Sequence, residues 1–346
     1  MSTASGPSGP RLIRRDAALA DGISESELRR ARQRGALTPV VRGVYLPVAD
    51  AAGLDCAGRH MTEVEAIVPR LTGEPVVSHV SAAVVHGLPF WHSEMPAVHI
   101  TRDRSAKARR GPRLQAHRAV MYQDEVMVIG GLRVTSVART VVDCARLLPF
   151  ENAVVLADAA LGRGLVTWAE LERQLRRHAR VPGARCADEV VAFADGRSSG
   201  VGTSRSRVLF RAAGLPAPEL RFVVPVLADV AGAGPAGAGA GAGVGVGVGV
   251  GVGAESEADF AYPRDRVLGE FDGWEEFGRS PGPAPPGWRR ELVIAAERAR
   301  HELLIASGWH VARWTWADLA RPAELIEKMR EALARSGGVT GTERKS

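Results

Sequence analysis

Cysteine is almost missing from this chain. Three stand in 346 residues, Cys56, Cys144 and Cys186, far apart and with no Cys-x-x-Cys pair. That spacing excludes a disulfide framework, gives a zinc ribbon no support, and fits a reducing cytoplasm. Aromatic residues are also scarce, at 5%, while Ala, Gly and Arg abound; this suits a GC-rich genome and defines no fold. The opening MSTASGPSGP has no apolar core, so no secretory signal is expected. Sustained apolar bulk is lacking too. The uncharged stretch 231–254 holds 11 Gly, 7 Ala, 5 Val and one Pro, and glycine at nearly every second position denies it the helix and the bulk that spanning a membrane requires. It reads as a long flexible loop, and no membrane partner is expected.

What is present is length and positive charge. The 346 residues suffice for two or three domains with cores of their own. A net charge of +6 and a pI near 9.8 favour a polyanionic partner. Much of the excess is local: Arg102, Arg104, Lys107, Arg109, Arg110, Arg113 and Arg118 oppose Asp103 alone. The sequence assigns that basic run no role.

The first half begins with a polar tail, 1–10, followed by a compact pattern over 11–50. Leu12, Ile13, Ala17, Ala18 and Leu19 give a short amphipathic helix ended by Asp21-Gly22. Ser24, with Glu27 three residues on, makes a capping box for a second helix, Glu25 to Arg34, stopped by Gly35. Leu28 and Ala31 face inward, leaving Arg29, Arg30, Arg32 and Arg34 outward. A hairpin around Val40 to Tyr45 follows, with Arg42 at its tip. Helix, turn, basic helix and hairpin in this order describe a winged helix-turn-helix that contacts duplex DNA through Arg29, Arg30, Arg32, Arg34 and Arg42. A small interaction domain with a solvated basic helix is the alternative.

Residues 60–182 read as a mixed α/β middle domain. Helices are expected over Thr62 to Leu71, Ser78 to Gly87, Ser136 to Leu147, Glu151 to Leu161 and Thr167 to His178, with strands at Val98 to Thr101 and Leu132 to Thr135. Arg139 and Asp143, four apart, are placed to pair across one helical turn. His79 and His86, seven apart, share a helix face, where histidines satisfied by packing are commoner than a metal pair. Residues 183–202 read as a linker or short helix.

In the second half, ADFAYPRDRVLGEFDG (Ala258 to Gly273) reads as a hairpin with a Pro-Arg-Asp turn. Alternation puts Glu270 and Asp272 on one face and Phe271 on the other. If Asp259 shares that face, three carboxylates converge, a cluster that usually holds a hard divalent cation; a solvated edge hairpin is the alternative.

This hairpin resembles that of the PD-(D/E)xK nuclease superfamily, nearest its very-short-patch-repair branch. The resemblance continues through SRSRVLFRAAGLPAPELRFVVP (Ser204 to Pro225) and ERARHELLIASGWHVARWTWADL (Glu297 to Leu319). It implies a restriction-endonuclease-like α/β core over 203–335, with 231–254 as an inserted loop and 336–346 as a tail. It also implies Mg²⁺ or Mn²⁺ on Asp259, Glu270 and Asp272, catalytic help from Arg298 or Arg300, and Glu276 as a candidate base. The sequence departs from the pattern where relatives carry a Glu before Ser204, since Thr203 stands there, and no Lys follows Glu270. SESELRRARQRGALTPVVRGVYL (Ser24 to Leu46) and VVSHVSAAVVHGLP (Val76 to Pro89) resemble the AbiEi family of type IV toxin–antitoxin antitoxins. That resemblance implies a DNA-binding autorepressor and a nucleotidyltransferase-type toxin as partner. The expectation is an α+β and α/β multidomain DNA-binding protein of the cytoplasm with a metal-dependent endonuclease-like domain. Its alternative is a repressor-antitoxin in which that domain is inactive.

Overall fold

The structure is a computed structural model and describes residues 11–89, 97–103, 110–198, 200–224, 256–273 and 290–337. The inserted loop 231–254, the segment 280–287, Glu276 and the terminal tails lie outside the described residues. The fold mixes helices with three sheets, and the chain divides into two compact units, Met1–Gly196 and Arg197–Ser346. No helix among the described residues is long and apolar enough to cross a membrane.

The first unit opens with β1 (Ile13–Arg14), α1 (Arg15–Ala20), α2 (Glu25–Gln33), β2 (Leu37–Val41) and β3 (Val44–Pro47). The strands form a small antiparallel sheet in the order β1-β3-β2. The capping box is in place: Ser24 Oγ accepts from Glu27 N, and Ser24 N donates to the Glu27 carboxylate at 2.8 Å. Gly35 ends the helix at φ +71, a left-handed conformation glycine adopts without strain. After α3 (Val48–Ala52) and α4 (Cys56–Ile67) comes a mixed sheet of six short strands. These are β4 (Val76–Val77), β5 (Val98–Arg102), β6 (Arg110–Gly111), β7 (Leu114–Arg118), β8 (Val126–Ile129) and β9 (Leu132–Thr135), in the order β6-β7-β5-β4-β9-β8. Between β4 and β5 runs α5 (His79–Val85). Val64, Val77, Val98, Ile100 and Val134, all fully buried, make the core between sheet and α4. Then α6 (Val137–Leu147), α7 (Phe150–Gly162), α8 (Trp168–Arg177) and α9 (Ala184–Phe193) follow. Ser136 caps α6 by accepting from Arg139 N. The helix α9, with Ala187 and Val190 fully buried, occupies much of the stretch read as linker.

The second unit runs α10 (Val201–Ala212), β10 (Glu219–Val224), β11 (Ser256–Tyr262), β12 (Val267–Asp272), α11 (Arg290–Ala306), β13 (His310–Thr315), α12 (Trp316–Leu319) and α13 (Pro322–Gly337). Its sheet, β10-β11-β12-β13, is antiparallel except for the parallel β12–β13 pair. Both faces are covered. Phe210, Phe260, Trp314, Leu325 and Met329 fill the side of α10 and α13, while Ala261, Leu268, Leu304 and Trp309 fill the side of α11. Trp314 Nε1 is satisfied inside this core by donating to Ser206 Oγ at 2.8 Å.

Candidate functional site

The basic helix and its hairpin come first. Leu28 is the one buried residue of α2, and Arg29, Arg30, Arg32, Arg34 and Arg42 are all exposed. At 3.6 residues per turn, Arg30 and Arg34 sit about 200° and 240° around from Leu28, on the outward face. Arg32 lies nearer the sheet, its guanidinium 5.4 Å from the centre of the Tyr45 ring. The first turn of α2 is acidic. Glu25 pairs with Arg15, and hydrogen bonds from the Ser24 hydroxyl and backbone hold the Glu27 carboxyl below its usual range. Positive charge is therefore concentrated in the second half of the helix, at Arg30 and Arg34, and Arg42 stands exposed at the tip of the β2–β3 hairpin.

The carboxylate hairpin is the second site. Phe271 turns to the α10 side, edge-on to Trp316 with ring centres 4.9 Å apart, and Glu270 turns to α11, as alternation requires. Asp259 departs from that pattern. Ala261 packs on the α11 side and Phe260 on the other, yet Ala258 again packs with Leu304. The strand thus changes face at Asp259. Its neighbour across the ladder, Arg221, has φ +52, marking the same irregularity in β10. Beyond the last paired residues, Phe260 and Gly269, the Asp259 carboxylate takes over the role of a ladder acceptor, receiving Phe271 N at 3.0 Å.

Glu270 is held by arginines. Arg300 Nη2 donates to its Oε1 at 2.5 Å, and Arg313 Nε lies 2.8 Å from its Oε2 as an ion pair without hydrogen-bond geometry. Glu297 completes the cluster, accepting from Arg300 Nη2 at 3.0 Å and Arg313 Nη2 at 2.8 Å. Burial raises the Glu297 carboxyl, but the Arg300 hydrogen bond and both guanidinium charges outweigh it and leave it below the usual range. Burial would lower Arg300, and the two carboxylates raise it instead. Asp272 is exposed at the end of β12, and Arg298 points outward to Glu302. Asp259, Glu270 and Asp272 do not bring ligand atoms within 4.8 Å of one another. The group that does so among the described residues is His79, His99 and His117. As placed, the three carboxylates do not fit a single divalent ion, because both Glu270 oxygens face guanidinium groups and one Asp259 oxygen holds a backbone N–H. The sequence reading missed Glu297 and Arg313. Glu297 was readable as a partner three residues before Arg300 on a helix; Arg313 required the parallel register that sets it beside Glu270.

His86 does not meet His79, since its Nε2 bonds the Thr135 carbonyl at 2.7 Å. The Arg139–Asp143 pair forms at 2.7 Å within a buried network. Arg139 Nη1 also donates to Glu125 Oε2 at 2.7 Å, and His178 Nε2 donates to Glu125 Oε1 at 2.8 Å. Burial raises the Glu125 carboxyl, but these partners pull it down to about 2.

No family model matches the chain. It is 29% identical over 192 residues to two uncharacterized proteins of Mycobacterium tuberculosis, MT2308 of strain CDC 1551 and Rv2248 of strain H37Rv. The alignment covers 56% of this chain and 66% of each relative, just under two thirds of their length. The crystal structure of the RV2827C protein from the same species is similar with a TM-score of 0.36 and 13% identity, over 53% of this chain and 72% of that one.

Proposed function

We propose that this chain is a duplex-DNA-binding protein of the cytoplasm whose N-terminal winged helix docks on phosphates, and whose C-terminal unit is an arginine-clamped scaffold without nuclease activity. The observation that carries the reading is the exposed Arg30 and Arg34 on the face of α2 opposite buried Leu28, with exposed Arg42 at the tip of the β2–β3 hairpin. The scaffold part rests on Glu270, whose carboxylate is engaged by Arg300 and Arg313. With the resemblance of Ser24 to Leu46 and Val76 to Pro89 to AbiEi-type antitoxins, the role is that of an autorepressor paired with a nucleotidyltransferase-type toxin. A gel shift on promoter-length duplexes tests binding: Arg30→Ala with Arg34→Ala weakens it by about 10-fold or more, and unchanged binding removes the reading.

Metal-dependent DNA cleavage is the second reading, favoured by one observation. Asp259 and Glu270 lie on neighbouring strands of a helix, three-strand, helix, strand arrangement. Mn²⁺ calorimetry with plasmid nicking, on wild type and Asp259→Ala, decides between the two. The scaffold reading expects neither ion binding nor nicking; nicking that is lost in Asp259→Ala replaces it with a nuclease.

A further inference from the structure

The first unit contains a cavity of about 840 Å³, bounded by the ends of β5 and β7 and by α6 and the end of α8. Its inner wall is electrically balanced. Arg139 and Arg146 face Asp143, Arg139 also faces Glu125, and Arg177 faces Asp124 at 2.8 Å. The mouth is not balanced. Arg118 and Arg180 are exposed and have no acidic group within 4.0 Å among the described residues, and Arg176 has only a surface contact to Glu172 at 3.5 Å. Arg118 closes the basic run that the sequence left without a role.

Three histidines stand beside the cavity, His79, His99 and His117, with ring nitrogens within 4.8 Å of one another. His79 and His117 stack face to face, with ring centres 3.7 Å apart, and His117 Nε2 lies 3.1 Å from His99 Nδ1. Burial, then the neighbouring His99, Arg146 and Arg139, hold His79 neutral well below its ordinary range.

We propose that this cavity binds a phosphate-bearing nucleotide, with Arg118 and Arg180 taking the phosphates at the mouth. The volume lies in the range of small-molecule sites and exceeds what inorganic phosphate fills. Guanidinium groups hold phosphate oxygens in paired hydrogen bonds. Two rings of the lining, His117 and the exposed Tyr122, are candidates to stack on a base, each by the face left uncovered by His79 and Arg177. The phosphate has two possible sources, a free nucleotide or the 5′ end of a nucleic-acid strand.

Titration calorimetry of the full chain tests the site with ATP, GTP, adenosine, and one short oligonucleotide with a 5′ phosphate or a 5′ hydroxyl. The expected result is tighter binding of a nucleotide than of adenosine, or of the 5′-phosphorylated strand than of its 5′-hydroxyl counterpart, with that difference weakened about 10-fold or more in Arg118→Glu with Arg180→Glu. The single variants Arg118→Gln and Arg180→Gln give smaller losses in the same direction should the double variant misfold. Preference for ATP or GTP names a free nucleotide, and preference for the 5′-phosphorylated strand names a strand end; the 5′-hydroxyl control subtracts binding at α2. Adenosine binding as tightly as ATP, no ligand binding below about 1 mM, or single variants binding like wild type would overturn the proposal.

Discussion

Glu125 is the residue on which the first unit depends most heavily for its buried charge. It is fully buried between Arg139 and His178 and was invisible in the sequence, since it sits in a short turn ahead of β8 with no periodic pattern around it. Arg139–Asp143 was legible because a four-residue spacing on a helix fixes the partner without any tertiary knowledge. Removing one member of a buried ion pair leaves the other charged and dry, so Glu125→Gln should lower stability by about 3–5 kcal/mol, read as urea midpoint. The pH dependence has a definite sign. The folded carboxyl titrates at about 2 against an ordinary 4.5, so its stabilisation, on the order of 3 kcal/mol, is present above pH 4.5 and lost as pH falls from there toward 2. Thermal melts at pH 6, 4 and 3 should show the gap between wild type and Glu125→Gln closing as the pH drops. A gap that stays constant would mean that Glu125 does not carry its charge into the fold.

Elements were read more readily than their faces. The capping box, the basic helix, both hairpins and most helices of the middle region follow from caps, turn residues and periodicity. The convergence of three carboxylates rested on strict alternation along β11, and the face switch at Asp259 breaks it. No local signal announces that switch, because the left-handed Arg221 opposite is an ordinary residue in an ordinary strand sequence. Two predictions belong here. Ser24→Ala removes the acceptor for Glu27 N and should cost about 1 kcal/mol, seen as lost helicity and a lower melting temperature. Gly269 of β12 has a different reason to be small: an added Cβ would come within 2.7 Å of the Trp314 ring and 3.1 Å of Phe260 Cβ. Gly269→Ala should therefore destabilise by about 1–3 kcal/mol, the cost of overpacking. An unchanged denaturation midpoint would show that the Trp314 indole shifts freely.

At the scale of the whole molecule, the net charge of +6 is unevenly placed. Acid–base clusters balance the interior of the first unit and the α11 face of the second. Among the described residues, arginines without a close acidic partner are left on α2, on the tip of the first hairpin and, as Arg118 and Arg180, at the cavity mouth. The amount of charge was legible from composition; its distribution was not, because pairing partners such as Arg177 and Asp124 lie 53 residues apart. The proposed role of the molecule requires that α2 grip phosphate. Fluorescence anisotropy of a labelled duplex against salt measures this directly, since each phosphate contact contributes about −0.9 to the log–log slope. The wild type should show a steep slope, and Arg30→Ala with Arg34→Ala should make it shallower by about 2, with weaker binding at every salt concentration. A variant whose slope and affinity match the wild type would contradict the account.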